Sequence, residues 1–96
     1  MDGEEFEWDE RKAAINLRRH KLIFLLARSV FNDAFAVIEQ ELSEDYGEER
    51  FVAIGMADDV LMTVVYTERG ERIRIISARK ANSHEQRKYY QGQATS

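Results

Sequence analysis

The sequence predicts a small single-domain α+β fold in which a short N-terminal strand and two helices precede an antiparallel four-stranded meander, and a last helix closes the chain. Three observations predict it. Apolar residues recur at helical spacing in the first third, the period drops to two from Phe35 onward, and a polar helix-start signature follows the last alternating run. At 96 residues, 44% of them hydrophobic, residues 1–96 are expected to form one domain around one core, with about 91–96 as a fraying tail.

Phe6-Glu7-Trp8 reads as a short strand or extended entry, after which Asp9 offers a carboxylate to the free amides of a helix running to about Arg19 or His20. Trp8 before this cap and Ala13 after it have the spacing of a hydrophobic staple. A second helical stretch, about Phe24 to Asn32, places Phe24, Ala27, Val30 and Phe31 on one stripe. Phe35, Val37 and Glu39 then fall on one side of an extended segment, and Phe51 to Met56 and Val60 to Tyr66 read as strands. Asp58-Asp59 and Glu68-Arg69-Gly70 are the turn signals between strands, Gly70 being free to take positive φ, and Tyr46-Gly47 falls in a longer acidic loop. The last strand, near Arg72 to Arg79, gives way at Ser83, whose spacing to Gln86 is that of a capping box, to a helix bearing Arg87, Lys88, Tyr89 and Tyr90. All the helices are expected on one sheet face.

Composition excludes several classes. Without cysteine there are no disulfides, thiolate metal sites or Cys nucleophile, and a reducing, cytoplasmic setting is the expectation. No apolar run approaches the roughly 18–20 residues that span a bilayer, and the acidic start is the opposite of a basic leader, so a soluble, unprocessed protein is expected. Two distant histidines and scattered carboxylates do not make a ligand set, and neither a phosphate-binding glycine loop nor a G-x-S-x-G elbow occurs. No metal or cofactor is expected.

Charge is the informative feature. The chain carries net −4, yet Arg69, Arg72, Arg74, Arg79, Lys80, Arg87 and Lys88 face only Glu71 and Glu85 between residues 69 and 88. Such asymmetry suggests a polyanion on that side. Arg72 and Arg74 lie two apart on a strand, hence on one face about 6.5–7 Å from each other, a spacing comparable to successive phosphates. The plainer reading is an arginine pair that holds acidic residues on neighbouring strands. Arg79 has the other parity and joins that face only if the strand bulges near Ser77-Ala78. His20 reads either as a general base or acid for a ribose hydroxyl or leaving oxygen, or as a cap on the helix-end carbonyls. Of Tyr89 and Tyr90, one is expected to stack on bases and one to pack in the core.

The chain resembles the BrnT family of ribonuclease toxins from bacterial type II toxin–antitoxin systems. The resemblance is carried collinearly by Phe6-Glu7-Trp8-Asp9, Lys12, Asn16, Arg19-His20, Phe24, Ala27, Val30-Phe31, Asp33, Glu48-Glu49-Arg50-Phe51, Ile54-Gly55, Thr67-Glu68-Arg69-Gly70, Arg72 to Arg79 and Tyr89. It implies a RelE-like fold and a metal-independent endoribonuclease that inhibits translation. It also implies neutralisation by a BrnA-type DNA-binding antitoxin, with operator DNA reached only through the complex. On this resemblance Arg72 and Arg74 would hold the scissile and adjacent phosphates, Arg79 would meet transition-state charge, His20 would transfer protons, and Arg50, Arg69, Lys80 and Tyr89 would contact RNA. Where the family usually has a glycine, a helix-capping serine and a glutamate pair stand Lys21, Ile23 and Leu25-Leu26. Leu25 and Leu26 are therefore a candidate contact for antitoxin or for a second copy. The competing functional reading is a binding module of weak or lost activity that acts with its antitoxin in operon autorepression; it uses the same arginines. A stand-alone sequence-specific DNA reader is disfavoured, because no basic recognition helix follows the apolar second one.

Overall fold

The computed structural model describes residues 5–41 and 48–94. In chain order the elements are β1 (Glu5–Trp8), α1 (Glu10–His20), a 3-10 turn (Phe24–Leu26), α2 (Ala27–Phe31), β2 (Val37–Glu41), β3 (Arg50–Ala57), β4 (Val60–Arg69), β5 (Arg72–Lys80) and α3 (Ser83–Ala94). Strands β2 to β5 form the expected antiparallel meander. The short first strand extends it, pairing parallel with β5, so the sheet has five strands, is mixed, and is ordered β1-β5-β4-β3-β2. Alternation explains the docking of β1: Phe6 and Trp8 lie opposite Ile73 and Ile75 on one face, Glu5 and Glu7 opposite Arg72 and Arg74 on the other.

The expectation that all helices share one face is corrected. Leu22, Phe24, Ala27 and Val30 pack with Ala53, Met62, Val64, Tyr66, Ile73 and Ile75 on one side. Tyr89 of α3 packs with Ile54 and Ala81 against Val52, Met56 and Leu61 on the other. The reason lies in β3, which is apolar at both parities, so both of its faces need covering. Gly55 permits the close approach of α2: a Cβ there would stand 2.9 Å from the Val30 Cγ1.

Asp9 caps α1 as expected, its Oδ1 accepting from the amides of Arg11 at 2.8 Å and Lys12 at 3.2 Å. Lys21 ends the helix in the left-handed region, φ 63°, and donates its amide to the Leu17 carbonyl at 2.9 Å. A lysine thus adopts the conformation that glycine takes without a Cβ penalty. The second helical stretch opens as a 3-10 turn from Ile23, which offers no side-chain cap, and only Ala27–Phe31 is α-helical. Phe35 precedes the strand, because Asp33 Oδ1 accepts the Phe35 amide at 2.9 Å and holds a turn there. Asp58 and Asp59, φ 46° and 69°, form the two-residue hairpin turn, and Gly70 has φ 61°. Tyr46-Gly47 lies outside the described residues, while α3 continues past Gln91 to Ala94, further than the expected fraying point.

Asn16 ties α1 to the sheet. Buried, its amide nitrogen donates to the carbonyls of Ala78 at 2.8 Å and Leu22 at 3.0 Å, and its Oδ1 accepts the Ala78 amide at 3.1 Å. Asn16→Ala leaves three buried backbone groups without this partner and is expected to cost about 3 kcal/mol in urea unfolding. Lys21→Gly is expected to act oppositely, adding about 1 kcal/mol by relieving the left-handed lysine.

Candidate nucleic-acid interface

The register between β4 and β5 shifts at one point. Val65 lies opposite Ser77 while Tyr66 lies opposite Ile75, so Ile76 is the extra residue of a β-bulge. The bulge reverses side-chain parity, and Arg79, opposite Thr63, joins Arg72 and Arg74 on the sheet face away from α1 and α2. It falls one residue before Ser77-Ala78, near which a bulge was the condition for Arg79 to join this face. Arg69, in register with Arg72 at the end of β4, extends the same face.

Every one of these guanidiniums meets a carboxylate. Arg74 Nη1 lies 2.8 Å from Glu7 Oε2, and Arg72 lies 3.2 Å from Glu5 through Nε and 3.5 Å from Glu7 through Nη1. The hydrogen bond from Arg74 holds the Glu7 carboxyl below its usual range. Arg69 reaches Glu48 at 3.4 Å. These pairs are accessible, with Arg72 58% and Arg74 30% exposed, so water and salt screen them and an incoming phosphate can compete for the same donors.

Arg79 differs. Its Nη1 and Nη2 donate to Glu85 Oε1 and Oε2 at 2.7 and 2.8 Å, a two-point pairing. Glu85 Oε1 also accepts the Thr63 hydroxyl and the Asn82 amide, both at 2.9 Å, while Asn82 Oδ1 accepts the Glu85 amide at 2.9 Å. The capping box of α3 is therefore Asn82 with Glu85, one residue before the expected Ser83 and Gln86. Burial opposes ionisation of Glu85, but the Arg79 hydrogen bond, then the Asn82 amide and the Thr63 hydroxyl, outweigh it and lower its pKa to about 2. The same pairing raises that of Arg79.

His20, half-buried at the end of α1, lines a cleft of about 150 Å³ with Lys12, Ile15, Asn16, Arg19, Ile76 and Ser77. Because the helix-end carbonyl of Leu17 is already taken by the Lys21 amide, that carbonyl does not need the imidazole. The cleft meets the arginine face at Ser77, the next residue of that parity after Arg74.

Other expected contacts fall elsewhere. Lys80, opposite Met62, belongs by register to the face of α1 and α2. Arg50 lies on β3 opposite Glu41, two strands from β5. Tyr89 is corrected outright: it is 4% exposed and its hydroxyl donates to Asp33 Oδ2 at 2.5 Å, so no base can stack on it. Tyr90, 52% exposed, is the tyrosine that faces solvent. Of the leucine pair, Leu25 is 51% exposed whereas Leu26 packs against the core. The carboxylates Glu5, Glu7 and Glu85 are the residues that sequence reasoning missed. Alternation in Glu5-Phe6-Glu7-Trp8 and the Asn82-x-x-Glu85 spacing were the available signals.

Four arginines on one face of the sheet, beside a cleft holding a histidine, define a class: a small α+β domain with an arginine-rich sheet face. Within that class the chain belongs to the BrnT family, ribonuclease toxins of type II toxin–antitoxin systems, whose family model matches residues 8–85. A comparison with curated protein sequences finds no match. Family membership makes the protein a ribonuclease toxin, with RNA as substrate and an antitoxin as partner.

Glu85 sets a pH dependence. Its folded-state pKa lies below the ordinary 4.5, so the stability it contributes is fully present above that value and is lost as pH falls toward about 2. Glu85→Gln is expected to lower stability at pH 7 by about 2 kcal/mol, with the gap to the unaltered protein closing between pH 5 and pH 2 in urea titrations.

Proposed function

We propose that this protein is a metal-independent endoribonuclease of RelE-like fold that acts in the cytoplasm, cutting RNA by attack of a ribose 2′-hydroxyl on the adjacent phosphate and so inhibiting translation. The observation that carries this reading is the Ile76 bulge, which turns the arginines of β5 to one face and brings that face to the edge of the His20 cleft. A BrnA-type antitoxin neutralises the toxin, and operator DNA is reached through the complex.

Chemically, the 2′-oxygen forms a bond to phosphorus as the bond to the 5′-oxygen breaks, leaving a cyclic phosphate and a 5′-hydroxyl. Negative charge grows on the non-bridging oxygens. Arg72 and Arg74, released from Glu5 and Glu7 by the phosphates, supply fixed positive charge there. His20 takes the proton of the 2′-hydroxyl, the departing 5′-oxygen draws one from water, and the proton held by His20 then neutralises the hydroxide left behind. Arg79, matched at both terminal nitrogens by Glu85, serves as a positioning residue that fixes α3 on β5. Arg69 and Tyr90 extend the RNA contact, the latter as an exposed stacking surface.

One observation favours the competing reading of a binding module with little activity: each arginine of the face already holds a carboxylate. Cleavage of labelled total RNA in EDTA separates the two. The ribonuclease reading expects cutting without added metal, products ending in cyclic phosphate, and losses of about 10²-fold for Arg74→Ala and for His20→Ala. Absence of cutting with ribosomes present, or cutting indifferent to Arg72→Ala and Arg74→Ala, contradicts it.

A further inference from the structure

Arg69, Arg72, Arg74 and Arg79 each hold a carboxylate, whereas the cations that line the His20 cleft do not. Among the described residues neither the Lys12 amine nor the Arg19 guanidinium forms an ion pair, and no acidic residue lines the cleft. Of the acids close to Lys12 in sequence, Asp9 turns its carboxylate to the backbone amides of Arg11 and Lys12, and Glu10 lines a different groove with Ala13, Ala14 and Leu17. The positive charge left unanswered is therefore on α1. Lys12, Asn16 and His20 recur every fourth residue with Ile15 and Arg19 beside them, so one stripe of the helix forms a wall of the cleft. Lys12 and His20 stand about 12 Å apart along the helix axis. Ile76, the extra residue of the bulge, and Ser77 form the wall on β5. Asn16 takes no part in binding, because its carboxamide is spent on Leu22 and Ala78.

What the cleft offers a ligand is two cations, an imidazole and a hydroxyl, with Ile15 and Ile76 as apolar walls. Cations separated by apolar surface match a chain in which phosphates alternate with sugars. At about 150 Å³ the cleft admits an extended strand but not a helix, whose diameter with side chains is about 10 Å. We propose that this cleft is a second phosphate subsite for single-stranded RNA, in which Arg19 and Lys12 hold phosphates beyond the scissile one. The strand then passes from Arg72 and Arg74 over Ser77, where the two surfaces meet, and on along α1. The inference rests on RNA as the substrate of the arginine face, and not on the proton transfers assigned to His20.

Binding of a 2′-deoxy-substituted, uncleavable RNA oligonucleotide across a salt series tests this. Lys12→Ala and Arg19→Ala, both at exposed positions where truncation spares the fold, are each expected to weaken binding about fourfold at physiological salt. Each should also lower the slope of log affinity against log salt by about 0.7, the value for one phosphate contact on a single strand. Lys12→Arg keeps the charge and should keep both quantities. Arg28→Ala removes a cation outside the cleft and should alter neither. Unchanged affinity and slope in both alanine variants of the cleft, or an equal loss in Arg28→Ala, overturns the subsite. So does a loss of antitoxin affinity with RNA affinity intact, which gives the cleft to an acidic segment of the partner. If the oligonucleotide binds through Lys12 and Arg19 yet no RNA is cut, the ribonuclease mechanism fails and the subsite stands; if RNA is bound and cut equally well by both variants, the subsite alone fails.

Discussion

The carboxamide of Asn16 stands in for a strand. β1 accompanies β5 only from Arg72 to Ile75, and two residues past the bulge both backbone groups of Ala78 turn to one asparagine side chain on α1. A buried amide and carbonyl without partners would each cost about 1–3 kcal/mol, so their satisfaction by a single side chain fixes the height and rotation of α1 against the sheet. Several features follow from that constraint. His20, one turn after Asn16, comes to rest beside Ile76 and Ser77, and the Leu22 carbonyl held by the same carboxamide directs the chain into the 3-10 turn. The bulge itself lies in the interval where β1 has ended and Asn16 has not yet begun, where β5 is free to admit an extra residue.

Two carboxylates do for α3 what Asn16 does for α1. Asp33 gathers the amides of Phe35 and Met56 and the Tyr89 hydroxyl, and Glu85 gathers Arg79, Thr63 and the Asn82 amide. In both cases burial works against the charged form, but several directed donors more than offset it, so the pKa of each falls. Partial burial makes these partners count in a way the exposed pairs of Arg72 do not. Pairing geometry sets Arg79 apart from the other arginines of the face: both of its terminal nitrogens are held by the carboxylate at the start of α3.

Much of this was legible in the sequence, and the misses have physical causes. The Asp9 cap, the strands β3 to β5 and the turns at Asp58-Asp59 and Gly70 follow from local chemistry, which acts through neighbours along the chain. Also visible was the condition for Arg79 to share a face with Arg74, a bulge in β5, because regular alternation sets the two on opposite faces. Alternation puts Glu5 and Glu7 on one face of β1 but does not say which strand they meet: they reach the arginines because β1 docks in parallel on β5, some 67 residues away in sequence. The placement of α3 depended on recognising β3 as apolar on both faces. Assigning the inner and outer tyrosine failed for a similar reason, since Tyr89 is buried by Asp33 and Ile54 from distant segments. The cap of α3 was misplaced by one residue because Ser83 and Gln86 imitate the spacing that Asn82 and Glu85 use.

The proposed substrate site is the arginine face on β5, and the proposal depends on Arg72 and Arg74 exchanging carboxylates for phosphates. The most direct measurement is NMR of the arginine Nε–H groups during titration with an RNA oligonucleotide made uncleavable by 2′-deoxy substitution. The signals of Arg72 and Arg74 should shift saturably while that of Arg79, held by Glu85, stays in place. Shifts confined to the arginines of α1, with Arg72 and Arg74 unmoved, would contradict the assignment of the substrate to β5.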